Sequence, residues 1–97
     1  LEHVRDPVLA LRECRRVLSK AGRLFLTIPI VPSKLTRRRI RLPSSFHGTP
    51  GQNAPDYIVH TEYGADFFTD IVAAGFRQIT LHTLGDVSSF CIVCSKS

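Results

Sequence analysis

No stretch of this sequence approaches the roughly 20 consecutive apolar residues that a helix needs to cross a bilayer, so no membrane partner is expected. The chain opens on Leu1 instead of a methionine, and no charged-then-apolar leader follows it. We therefore expect a preceding segment to be missing. Cysteine is scarce, with only Cys14, Cys91 and Cys94. The last two have C-x-x-C spacing but fall in F-C-I-V-C at 90–94, an apolar run that reads as a strand, where residues three apart point to opposite faces. No second C-x-x-C accompanies them. Zinc or redox chemistry is not expected, and all three are read as buried free thiols in a reducing cytoplasm. Internal repeats and low-complexity segments are also lacking.

At 97 residues the chain has room for one core at most. A hydrophobic share of 43% and a charged share of 22% lie near globular averages, which argues against disorder. The formal net charge of +5 gathers in one place, because Lys34, Arg37, Arg38, Arg39 and Arg41 fall within eight residues between Pro32 and Pro43. This run reads as a solvated, mobile loop, with an anionic substrate or partner as the alternative. Single-stranded nucleic acid is usually held by aromatic stacking as well as charge. No aromatic residue lies between Ile28 and Ser45, so a nucleic-acid partner is not the leading expectation.

Asp6 and Pro7 form a strong helix opening, the carboxylate accepting free first-turn amides and the proline supplying a preset φ. The helix should span 7–19, burying Leu11, Cys14 and Leu18 with Val8 and Val17 beside them, and Gly22 should cap it in the left-handed region. The apolar run at 24–28 predicts a strand buried on both faces. Residues 29–60 carry five prolines and no clear periodicity, which predicts a long irregular segment of the substrate-binding or lid kind. Thr61 and Glu62 read as the start of a second helix over 61–74, with Phe67, Phe68, Ile71 and Val72 as its buried stripe and Gly75 as its cap. Strands at 77–83 and 89–95 then close the chain as an antiparallel hairpin around Gly85 and Asp86, with Phe90, Ile92 and Cys94 on one face and Cys91 and Val93 on the other. That order is the second half of an α/β sheet, and three strands leave the sheet incomplete.

At this point the residues match a family. The run L-E-H-V-R-D-P at 1–7, then L-R-E at 11–13, R-V-L at 16–18 and G-R-L-F-L-T-I-P at 22–29 resembles the segment after the fourth strand in small-molecule class I S-adenosyl-methionine-dependent methyltransferases. The stretch from T-E-Y-G at 61–64 to A-G-F at 74–76 is similar to that family's next helix, and F-H-G-T-P at 46–50 to an H-G-x-P element ahead of it. The resemblance covers nearly the whole chain, weakly over 31–45. It implies the C-terminal half of a Rossmann-like methyltransferase sheet, a single partial domain over 1–97. It also implies S-adenosyl-methionine as cofactor, with its binding motif upstream: neither the glycine-rich loop nor the acidic ribose-binding residue of the family is in this chain, and the six glycines are scattered.

Methyl transfer is an in-line displacement in which the protein aligns nucleophile and methyl, excludes water and, where needed, removes a proton. Glu2 and His3 would lie just past the carboxyl end of a strand, where open α/β sheets hold ligands. His3 is the candidate general base, and Glu2 and His47 are candidate substrate-binding residues, His47 on a loop that can close over the substrate. Related quinone-type methyltransferases hold a divalent metal in an E-x-x-E-H run, but its first glutamate would precede Leu1, so no metal is expected. His60 is read as structural, and His82 is given no role. The function expected is methyl transfer to a small-molecule acceptor as part of a longer enzyme. The alternatives are a non-catalytic interaction or dimerisation domain and a basic-loop nucleic-acid binder. Both helices should cover one sheet face, leaving the other face and one strand edge for a second copy or for the missing N-terminal half.

Overall fold

Asp6 opens the first helix as the sequence predicts, its carboxylate accepting the Leu9 amide at 2.9 Å with Pro7 at the first helical position. The computed structural model of the chain describes residues 1–40, 42–43, 45, 58–83, 85 and 90–97. Helix α1 spans Pro7–Val17, two residues short of the expectation, because Leu18 turns extended and donates its amide to the Arg15 carbonyl. Gly22 does not cap it in the left-handed region, as among the described glycines only Gly75 and Gly85 have positive φ. Glycine is needed there for closeness instead: a Cβ would lie 3.0 Å from the Ser19 carbonyl oxygen and 3.1 Å from the Leu18 side chain.

The buried side of α1 also differs from the expected stripe. Pro7 and Leu11 are buried and Val8 and Leu18 pack against the core, whereas Cys14 is exposed and Val17 is 69% exposed. Arg15 explains the rotation. It turns inward to donate from Nε to the Gly75 carbonyl at 3.0 Å, so positions 7, 11, 15 and 18 share the inner face at helical spacing.

The second helix was expected over 61–74 but forms only as α2, Phe68–Ala73. Residues Thr61–Gly64 are strand β4 instead. Val59, Thr61 and Tyr63 are 5%, 1% and 3% exposed, a period of two that a helix cannot bury on one side. The strand also has partners on both edges. It pairs in parallel with β2, Ile30–Val31, and antiparallel with β3, Arg37–Arg38, in the order β2-β4-β3. The segment expected to be irregular over 29–60 thus supplies two short strands, and Arg37 and Arg38 of the basic run are in one of them. In α2, Ile71 is fully buried and Phe67 packs on the core, while Phe68 and Val72, also expected inside, are 46% and 56% exposed. The stop at 74–76 forms as expected, with Gly75 at φ 98° and Phe76 buried behind it.

The main sheet has the order β1-β6-β5, from β1 (Arg23–Leu26), β5 (Gln78–Thr83) and β6 (Phe90–Ser95), with both pairings antiparallel. Strand β6 lies between the other two. Its register puts Leu24 and Ile79 beside Cys94, and Leu26 and Leu81 beside Ile92, on the face that both helices cover. Leu11, Ile71, Ala74, Phe76, Ile92 and Cys94 form the centre of that core. The opposite face carries Phe25 opposite Val93, with Thr80 on the far side of Val93 and His82 beside Cys91. Strand β1 was expected to be buried on both faces, but it alternates, and Phe25 is 58% exposed under the Arg23 guanidinium at 5.3 Å. The reason is that nothing among the described residues covers that face or pairs with the outer edge of β1. The result is a small mixed α/β structure with open sheets, and no described helix is long and apolar enough to cross a membrane.

Two glycines separate space from conformation. A Cβ on Gly64 would fall 2.0 Å from the Lys34 carbonyl oxygen, backbone against backbone, whereas one on Gly85 meets nothing within 4 Å but must adopt a φ of 87°. Urea denaturation should show Gly64→Ala costing about 3 kcal/mol or more by overpacking, and Gly85→Ala only about 1 kcal/mol of backbone strain. Equal losses would mean that β4 and the 34–35 backbone are not in contact.

Candidate functional site

Residues ahead of α1 are tied to the start of β4 through the main chain. The Glu2 carbonyl accepts the amides of His60 at 2.8 Å and Thr61 at 3.2 Å, which fixes the Glu2 and His3 side chains beside that strand. The Glu2 carboxylate is largely enclosed, with 14% of its side chain exposed. One of its oxygens faces His3 Nε2 at 3.4 Å. His3 Nδ1 lies 3.0 Å from the Ile58 carbonyl oxygen. A carbonyl only accepts, so Nδ1 donates to it, and Nε2 is the ring nitrogen that faces Glu2.

Glu2, Pro29, Val31, Lys34, Leu35, Arg37, Val59, Thr61, Glu62 and Tyr63 enclose a cavity of about 520 Å³, within the ~300–1,000 Å³ range of small-molecule sites. It lies just past the carboxyl end of β1, whose continuation supplies Pro29 and Val31. Strand β4 supplies one wall. Of the candidate residues, Glu2 lines the cavity, and His3 stands directly behind Glu2. His47, with its H-G-x-P element, lies outside the described residues. His60 contributes its main chain, as a donor to Glu2 and an acceptor from the Arg39 amide, and His82 is exposed on the uncovered sheet face.

Behind the cavity wall is a polar network that the sequence did not announce. The Tyr63 hydroxyl donates to Asp70 Oδ2 at 2.9 Å, and Asp70 is 6% exposed. Arg38 reaches in from β3, donating to Asp70 Oδ1 at 2.5 Å and to Thr61 Oγ1 at 2.8 Å, with its guanidinium 6.0 Å from the Tyr63 ring centre. Burial and the Asp70 carboxylate raise the Tyr63 pKa against the opposing pull of Arg38, so the phenol stays protonated and acts as a donor. The hydrogen bond to Asp70 also raises the Arg38 pKa.

The rest of the basic run is engaged in the same way. Arg37 and Arg39 share Glu62 at 2.7 and 2.6 Å, and Arg39 also donates to the Pro43 carbonyl. Arg37 and then Arg39 hold the Glu62 pKa below the ordinary carboxylate range. Three of the five cations are thus ion-paired inside the chain, and Arg41 lies outside the described residues. The run was expected as a solvated, mobile loop. Over 34–40 it is instead anchored by these ion pairs and by Asp66, which accepts the Thr36 amide at 2.6 Å.

All three cysteines are free. Burial pushes the Cys94 thiol up to about 11, which leaves it an inert apolar side chain, while Cys14, expected inside, is exposed. Among the described residues no three His, Cys, Asp or Glu side chains are grouped to hold a metal ion. Nor do the described residues fit S-adenosyl-methionine. A cradle for it needs backbone open to a ligand, but Gly22 and Gly64 face their own chain, Gly75 faces the Arg15 side chain, and Gly85 turns a hairpin. No protein-family model, curated protein or solved structure matches the chain.

Asp70→Asn should cost about 2 kcal/mol and Tyr63→Phe about 1 kcal/mol in urea denaturation, since a charged acceptor of two donors outweighs one neutral donor. A larger loss in Tyr63→Phe would displace Asp70 from the centre of the network. Glu62 gives a pH prediction. Because its folded pKa is depressed, its contribution to stability is fully present above the ordinary value near 4.5 and is lost as pH falls through the folded value. The difference in urea midpoint between the natural chain and Glu62→Gln should therefore be constant from pH 7 to 5 and shrink toward pH 3. A difference that grows on acidification would reverse this assignment.

Proposed function

We propose that this chain is the acceptor-binding, C-terminal half of a class I S-adenosyl-methionine-dependent methyltransferase acting on a small molecule in the cytoplasm. The observation that carries the reading is the cavity past the carboxyl end of β1, because the residues that resemble the family converge on it. Glu2 comes from the L-E-H-V-R-D-P run, Pro29 closes the strand that follows α1, and Thr61 to Tyr63 come from the T-E-Y-G stretch. Open α/β sheets hold their ligands at that end. The antiparallel hairpin of β5 and β6 agrees with a Rossmann-like sheet of this kind at its C-terminal end. Free thiols agree with a reducing compartment.

In this reading the group that delivers the methyl is held by the upstream half of the enzyme, as the resemblance implies. What this chain supplies is enclosure of the acceptor and removal of its proton. His3 Nε2 takes the proton from an acceptor hydroxyl that reaches past Glu2, and the Glu2 carboxylate beside it stabilises the imidazolium that forms. The free edge of β1 and the face bearing Phe25 and Val93 are where the N-terminal half of the sheet lies in this reading. A dimerisation domain, in which a second copy covers the same surfaces, is the alternative that they support.

A labelled-methyl transfer assay on the longer protein carrying these residues tests the proposal. His3→Ala should lower turnover about 100-fold with little change in cofactor affinity, and Glu2→Gln should lower it in the same direction. Turnover unchanged in both variants would remove them from the chemistry. An absence of labelled product across phenols, carboxylic acids and amines would sink the enzyme reading.

A further inference from the structure

The fold assembles a second group of cations that no single stretch of the sequence contains. Arg23 opens β1, Arg77 directly precedes β5 and Lys96 directly follows β6. Arg23 and Gln78 both pair with Ser95, and the Arg77 amide donates to the Ser95 carbonyl at 3.1 Å. The three cations therefore stand at one end of three neighbouring strands, spaced about 4.8 Å from one strand to the next. Lys20 joins them, because Ser97 Oγ donates to its carbonyl at 3.4 Å. Lys20, Arg23 and Arg77 are exposed, while Lys96 Nζ donates to the Leu18 carbonyl at 2.8 Å. None of the four forms an ion pair among the described residues. The reason is that the described carboxylates are engaged elsewhere. Residues 36–39 hold Glu62, Asp66 and Asp70, Arg16 holds Glu13, Asp6 caps α1 and Glu2 lies beside His3.

We infer that this end of the main sheet binds the phosphate backbone of a nucleic acid, with Lys20, Arg23, Arg77 and Lys96 as the contacts. A polyanion lying along the row exchanges its condensed counterions for fixed cations, and that gain needs neither stacking nor contacts to base edges. An anionic membrane fits less well, because binding at a bilayer surface adds buried apolar side chains to charge, and the residues between these cations are Ser95, Gln78 and Ser97. The surface is at the amino end of β1, whereas the cavity lies past its carboxyl end. It goes beyond the enzyme reading and makes no use of the free edge of β1 or of the face bearing Phe25.

Fluorescence anisotropy of the full chain with a labelled oligouridylate of about 20 nucleotides, between about 50 and 200 mM salt, tests this. Binding should saturate and weaken by about 2.8 decades per tenfold rise in salt, which is about 0.7 for each of four phosphates on a single strand. Arg23→Gln combined with Arg77→Gln should halve that slope to about 1.4 and lower affinity at the lowest salt by about tenfold or more. The matching pair of lysine substitutions should keep both, and Arg5→Gln, ahead of α1, should change neither. No saturable binding, a slope unaltered in the double glutamine variant, an equal loss in Arg5→Gln, or binding to phosphatidylserine vesicles without binding to the oligonucleotide would overturn the inference. Far-UV circular dichroism separates loss of the surface from loss of the fold. If the double variant does not fold, each single glutamine variant should still remove about 0.7 from the slope. Because no methyl is transferred in this measurement, its outcome is independent of the enzyme reading.

Discussion

Much of the chain depends on how Asp70 is neutralised. A carboxylate 6% exposed is stable only with partners that meet its charge, and its two oxygens draw Arg38 from β3 and the Tyr63 hydroxyl from β4 onto α2. Arg38 in turn reaches Thr61. The consecutive elements β4 and α2 and the distant β3 are thereby fixed to one another by hydrogen bonds of defined direction, where apolar packing alone would let them slide. Because β4 also receives the Glu2 carbonyl at its start, the same clamp sets the wall of the cavity and the position of Glu2 and His3. Breaking the pair would leave a buried charge uncompensated, so the carboxylate and its partners are one unit.

The parts of the fold that were legible in the sequence are those whose signal is local. Asp6 and Pro7, the stop at Gly75 and Phe76, and the alternation of Ile92 and Cys94 against Cys91 and Val93 each report a preference of the chain for its own neighbours. The failures have a common cause in distant contacts. Thr61 and Glu62 carry the chemistry of a helix start, but Thr61 is buried between two strands and Glu62 is held by two arginines more than twenty residues earlier. The alternation of Val59, Thr61 and Tyr63 was present as a strand signal, outweighed by the capping signal that overlaps it. Arg15 inverted the reading of α1 in the same way, since an arginine on an apolar stripe is ordinarily assigned to solvent, yet this one serves the carbonyl at a helix end.

For the site, the pairing of Glu2 with His3 was readable from adjacency, and the cavity was not, because its walls come from four separate stretches. The basic run shows why composition misleads about partners. A sequence counts charges without their neighbours, and here Glu62 and Asp70, distant along the chain, form ion pairs with three of the arginines. Among the described residues of that run, Lys34 alone stands outside these ion pairs, a much narrower statement than a net charge of +5.

The placement of β6 between β1 and β5 has a consequence for how the chain is made. Arg23 pairs with Ser95 and Gln78 pairs with the same residue from the other side, so neither outer strand has its β6 neighbour until the ribosome has released the stretch from Phe90 to Ser95. During synthesis Leu24, Leu26 and Ile79 must wait without their β6 partners, with Ile92 and Cys94, the residues at the centre of their core, still to come. Closure is then a late, long-range event, of the kind that slows folding and leaves edges open to other nascent chains.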